Sequence, residues 1–302
     1  MKKYIIYFVL FISFKNFSFC QDSLSTDYPF LYKVKANCSV SYDENRQMYY
    51  YNYVLFNDVL NRGSISDFLI DISRQSNTVL YDTIGLRFDS NYEEGSFRRN
   101  YPPRQGRVVA VGFPLLPRFW SATLANRPVA WLGVNKNFPL PGETRDSLIL
   151  MSKALTGIRA FEVQPNFNIY EFFPNIEDTT ANMSIEQMDS IREVVNYHGW
   201  TIGPTAPPIN FIPSVWIDTL ISYKHQSRTL GWISNEGIMN SLDQKLENAK
   251  QQLQKGNTKS ASNIIQAFIN EVEAQNGKHL TSEAYALLKY NAEYLLEKMG
   301  GK

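Results

Sequence analysis

Cysteine, histidine and net charge are all scarce in this chain. Two cysteines, Cys20 and Cys38, and three histidines, His198, His225 and His279, stand among 302 residues, and the formal charge is +1. A near-neutral chain with no basic stripe interleaved with aromatics has no field to steer it onto a phosphate backbone, which argues against a nucleic-acid partner. The histidines have no second ligand at metal-binding spacing except the pair His279 and Glu283. That pair straddles an expected helix start, where Glu283 is explained by the positive end of the helix dipole. Neither a metal nor an organic cofactor is expected. The motifs HExxH, GxSxG and the phosphate-binding loop are missing, so no catalytic signature is present.

Long hydrophobic runs are missing too. The apolar stretch Ile5 to Phe14 follows Lys2 and Lys3 and is half the length of about twenty residues that a membrane-spanning helix needs. A charged start, a short apolar centre and small residues near position 20 describe a secretory signal peptide over residues 1–20. Cleavage after Cys20 leaves Gln21 as the N-terminus of a secreted or periplasmic protein with no integral membrane segment. The alternative, a lipoprotein acylated at Cys20, places bulky Phe19 where such sites carry a small residue. After cleavage only Cys38 remains, so no internal disulfide can form and stability rests on packing.

What is abundant is apolar and aromatic material, 44% and 14% of the residues. From Leu31 to about Tyr170 it falls into short strand-like segments separated by turn residues. These are "LYKVKANCSV", "MYYYNYVLF", "SDFLIDIS", "TVLYDTIGLRF", "RVVAVGF", "FWSATLA", "PVAWLGV", "DSLILMS" and "IRAFEVQP". With no helical period between them, they predict an all-β antiparallel sandwich of immunoglobulin-like type over residues 21–172. Within it, Tyr49, Tyr51 and Tyr53 alternate onto one face of a strand. They either pair and pack within the sandwich or form a platform that stacks on sugar rings. A polar loop carries Arg98, Arg99, Arg104 and Arg107, whose forked guanidinium groups suit an acidic or sulfated glycan, beside Glu93 and Glu94.

Residues 173–212 read as a linker with one helix. Ser184 and Gln187 make a capping box, and apolar spacing continues to about His198. The segment "GWTIGPTAPPINFIP" follows, whose prolines forbid helix and favour an extended connector. Residues 213–302 predict a bundle of four amphipathic helices. The first is capped by Ser214. The second runs from Ile238 to Leu253 and stops at Gly256, the third starts at Asn257, and the fourth opens at Thr281.

The stretch from Gly231 to Leu295 resembles the helical FIMAH module found near the C-terminus of many exported bacterial proteins. The matching features are "GIMNSL", "AKQQLQKGN", "AFINEVEAQNGK" and "LTSEAYALL". The resemblance implies a secreted bacterial protein and assigns no chemistry. Asn240, Asn270 and Glu271 are expected to cap helices or bond between them. The preceding half is also similar to exported bacterial sandwich domains in the order Trp120, Trp131, Pro141 with Gly142, and "SLILMS". The reading that follows is an exported, non-catalytic protein whose sandwich binds a glycan or a cell-surface protein. The alternatives are a polysaccharide hydrolase with a carboxylate pair drawn from distant positions, and a helical bundle that serves as the docking or oligomerisation module.

Overall fold

A computed structural model describes residues 29–72, 81–82, 107–108, 111–112, 120–124, 128–133, 138–166, 195–208 and 210–300. The strands are β1 (Val34–Asp43), β2 (Met48–Asn57), β3 (Ile65–Asp71), β4 (Tyr81–Asp82), β5 (Arg107–Val108), β6 (Val111–Gly112), β7 (Trp120–Leu124), β8 (Pro128–Gly133), β9 (Thr144–Ser152), β10 (Leu155–Pro165) and β11 (Tyr197–Thr205). Two antiparallel sheets form the N-terminal part, one in the order β1-β2-β9-β6 and the other β11-β10-β3-β8-β7. The two-residue pairing of β4 with β5 is parallel. Every predicted strand segment contains a strand.

Side-chain alternation puts Tyr51, Tyr53 and Leu55 of the first sheet against Phe68, Ile70, Trp131, Phe161 and Val163 of the second, all buried. The Tyr53 ring lies 5.5 Å from both Phe68 and Trp131, meeting each edge-on, while Phe68 stacks on Trp131 at 5.4 Å. Both buried phenols are satisfied. Tyr51 donates to Ala154 O and Leu155 O at 3.1 Å, and Tyr53 donates to Ile202 O at 3.0 Å.

The expected linker is corrected at β11. Its residues pair with β10 from Leu155↔Thr205 to Val163↔Tyr197, so "GWTIGPT" belongs to the sandwich and His198 lies on a strand, not at a helix end. Proline is tolerated because β11 is the outermost strand of its sheet and Pro204 has no ladder bond to lose on its outer side. The expected helix over 184–198 otherwise lies outside the described residues, as does the signal segment.

The helices are α1 (Pro213–Thr229), α2 (Glu236–Gln254), α3 (Thr258–Gln275) and α4 (Ser282–Lys298). Asn235 and Thr281 accept the capping bonds of α2 and α4. Helix α1 starts two residues earlier than a cap at Ser214 would give, with Pro213 in its first turn, and its cap Ile212 offers no side-chain bond. The apolar stripes converge on Ile217, Leu220, Leu242, Leu246, Ile265, Phe268, Leu288 and Leu295, all fully buried. Lys224 is buried between helices and is paired with Asp243 of α2.

Sandwich and bundle are packed together. Helix α4 lies along the free edge of β1 and on the outer face of β10. The carboxylate of Glu283 accepts from Cys38 N at 2.6 Å, Tyr290 donates to Val40 O at 3.1 Å, and Asn291 Nδ2 donates to Thr156 O at 3.0 Å and to its Oγ1 at 2.9 Å.

Candidate functional site

The outer face of the β10–β11 ribbon carries the cross-strand pairs Ile158 with Ile202 and Ala160 with Trp200. Helix α1 runs past this face and turns Val215, Asp218, Thr219, Ser222 and Gln226 towards it, at helical spacing, while its opposite face packs into the bundle. Between them lies a cleft of about 660 Å³, within the range typical of small-ligand sites. Its floor is Ile158, Arg159 and Ala160, and Asp71 closes it at the end of β3.

One residue holds floor and wall together. Asn291 of α4 bonds to Thr156 of β10 through its carboxamide, and its backbone carbonyl accepts the indole N–H of Trp216 in α1 at 2.9 Å. Below the floor, the Arg159 guanidinium reaches the Pro204 carbonyl through Nε at 2.9 Å and through Nη2. Gly203 sits opposite, where a Cβ would come within 3.1 Å of the Arg159 side chain. The pair of strands is therefore fixed in shape beneath the cleft.

Trp200 is the distinctive group at the rim. It is 56% exposed, and its cross-strand partner Ala160 is too small to cover the indole. A large aromatic surface left in water beside the hydroxyls of Thr219 and Ser222, the amide of Gln226 and the carboxylates of Asp71 and Asp218 suits a ligand with an apolar face and many hydroxyls. Asp218 is itself half exposed and bonds to Lys250 Nζ at 2.5 Å, so its charge is already matched.

The sequence-based candidates fall elsewhere. Tyr51 and Tyr53 are fully buried and hydrogen-bonded, so no sugar reaches them and the ladder is core rather than platform. Burial pushes both phenols well above their ordinary range. Tyr49 is half-buried, its ring 5.1 Å from Tyr290 of α4. Arg98, Arg99, Arg104, Glu93 and Glu94 lie outside the described residues. Arg107 is on β5, with nothing described of its side chain. Trp131 is core, and Trp120 lies on β7. Glu271 does bond between helices, accepting from Ser241 at 2.9 Å and Lys245 at 2.7 Å, and Asn270 accepts from Gln266 within α3 at 3.0 Å, while Asn240 is exposed. Glu283 faces β1 rather than His279, which sits 3.4 Å from Ser234. The cleft was hidden in the sequence because Trp200 falls among glycines and prolines that read as connector.

Residues 217–297 match the family model of the FIMAH domain. The match extends the resemblance of the last three helices into α1, so the wall of the cleft belongs to this module and its floor to the sandwich. No curated protein matches the chain. Among the described residues no helix is long and apolar enough to cross a membrane.

Proposed function

We propose that this is an exported, non-catalytic binding protein in which the cleft between the β10–β11 face and α1 takes a segment of a glycan chain. The observation that carries the reading is Trp200, an indole held more than half exposed on a rigid strand at the rim of a cleft lined by short polar side chains. Stacking of a sugar ring on the indole removes apolar surface from water on both partners, and the hydroxyl and amide groups of Thr219, Ser222 and Gln226 supply directional bonds. The leader-like N-terminus and the FIMAH match support export. The pairing of Asp218 with Lys250 favours a binding role over proton transfer.

The test is retention of the chain on immobilised neutral and acidic polysaccharides, with the soluble fraction assayed for released oligosaccharides. Trp200→Ala should weaken retention by about tenfold or more while the thermal midpoint stays put, because the side chain is exposed. Equal retention by the variant would sink the assignment of the cleft. Release of shorter sugars would instead establish a hydrolase.

A further inference from the structure

A second surface, at the loop joining β2 to β3, is built with unusual care for a turn. Asn57 donates to the carbonyls of Gly63 and Pro139, both at 2.9 Å. Asn61 donates to Asn57 Oδ1 at 2.6 Å and to Lys33 O at 2.7 Å, and accepts from Lys33 N at 2.9 Å. Asn57 and Asn61 are buried, so the loop is pinned from beneath by side chains that satisfy its backbone. Gly142 N donates to Asn57 O at 2.7 Å, joining the turn before β9 to it.

The residues that this frame presents are aliphatic. Val59 is 69% exposed, Leu60 68%, and Leu140 on the adjoining turn 56%. Val59 lies beside Gly142, where a Cβ would meet its Cγ1 at 3.3 Å, so the two turns form one tip. Tyr32, also exposed, stands next to Lys33, whose backbone is tied to Asn61. A pinned turn that holds aliphatic side chains out in water is poised for contact with an apolar phase or partner.

The charge around the tip decides which. Exposed Arg62 is part of the loop and exposed Lys33 and Lys35 lie beside it where the chain enters β1, against the acids Asp58 and Glu143. Both acids are engaged: Asp58 by Leu60 N at 3.1 Å and by Lys33 at 3.2 Å, Glu143 by Leu140 N at 2.8 Å. The Leu60 N–H, then Lys33 and Lys35, hold the Asp58 carboxyl below its usual range, which places Lys35 within electrostatic reach of the loop. Aliphatic residues at a tip with a basic skirt match the two layers of an anionic lipid surface, acyl chains beneath phosphate headgroups. Pro29, the first described residue, packs against Gly63 at the base of this loop.

We propose that the tip formed by Val59, Leu60 and Leu140 inserts into the surface of a bilayer containing anionic lipid, docking the sandwich on a membrane. The contact is peripheral and reversible, and it leaves the cleft beside α1 untouched. It is independent of what that cleft binds.

Flotation of the chain beginning at Gln21, which retains every described residue, tests it with phosphatidylglycerol–phosphatidylethanolamine vesicles. The wild type should float with the vesicles, and Val59→Ser with Leu60→Ser should reduce the bound fraction about tenfold or more at an unchanged thermal midpoint. Lys33→Gln with Lys35→Gln should weaken binding and flatten its salt dependence. A wild type that stays at the bottom of the gradient, or a double serine variant that floats as well, overturns the proposal. Equal flotation with phosphatidylcholine alone overturns the anionic assignment. A wild-type dimer that the serine substitutions convert to monomer, with no flotation, would show that the tip pairs with a second copy instead.

Discussion

The carboxylate of Glu283, in the first turn of α4, accepts the backbone N–H of Cys38 on β1 at 2.6 Å, across 245 positions of chain. Cys38 lies on the side of β1 that faces away from β2, where a strand at a sheet edge leaves its N–H and C=O groups unpaired. Along that side Thr201 Oγ1 of β11 donates to Ala36 O at 3.4 Å, Glu283 accepts from Cys38, and Tyr290 donates to Val40 O. The helical module thus covers an edge that would otherwise template pairing with other chains. It is part of the sandwich's stability rather than a passenger on a linker.

Glu283→Ala should therefore destabilise the whole protein by roughly 1–3 kcal/mol, since it leaves a buried N–H without an acceptor. Glu283→Gln keeps an acceptor and should cost less. Urea unfolding followed by tryptophan fluorescence and by far-ultraviolet circular dichroism should give coincident transitions in the wild type. Loss of helix at a lower urea concentration than loss of the tryptophan signal would show that the two parts fold independently.

Asn291 is the joint between the sandwich, α4 and α1. Thr156→Val with Asn291→Ala should show a coupling of about 0.5–3 kcal/mol in a double-mutant cycle, because each side chain is the other's buried partner. Asn291→Ala should also weaken ligand retention at the cleft without touching any lining residue, since the floor loses its side-chain bonds to α4 while the Trp216 bond to the backbone carbonyl of residue 291 stays. Additive stability effects and intact retention would argue that α1 is positioned by other contacts.

Alkaline pH should test the same interface. Burial raises the Tyr290 phenol from its ordinary 10 to about 12, with nearby Lys289 opposing the shift and Tyr285 and Glu293 adding to it. Because the folded state holds this proton more tightly than the unfolded state, its contribution to stability is complete below pH 10. It is lost as pH rises from 10 towards 12. Tyr290→Phe should flatten the fall in unfolding free energy across that window by about 2 kcal/mol, read from urea midpoints at stepped pH. A variant with the same slope as the wild type would mean that the phenol is freely solvated.

Much of the fold was legible because its signals are local. Alternation in "MYYYNYVLFN" needs only the two-residue period of a strand, and Thr281 with the stripe through Leu288 and Leu295 needs only the period of a helix. Burial of Tyr51 and Tyr53 was one of two readings open to that ladder. The opposing sheet closed the other, since Phe68 and Trp131 occupy the space a sugar would need.

Local patterns in the amino-acid sequence were enough to mark the segments that hold β1 to β10, the four helices α1 to α4, and the FIMAH-like character of the last part, but not β11. Tertiary structure alone decided what joins what. Pro204, Pro207 and Pro208 mark a connector in any local reading. Yet a sheet edge accepts a residue without an N–H, and β11 takes that place because Thr205 to Tyr197 find partners in β10. The cleft follows from the same fact, since Trp200 faces α1 only when its strand is paired. A polar stripe on α1 and an aromatic on a distant strand carry no mark of each other in the sequence. Only the packing of α4 against β1 and β10 brings them to one site.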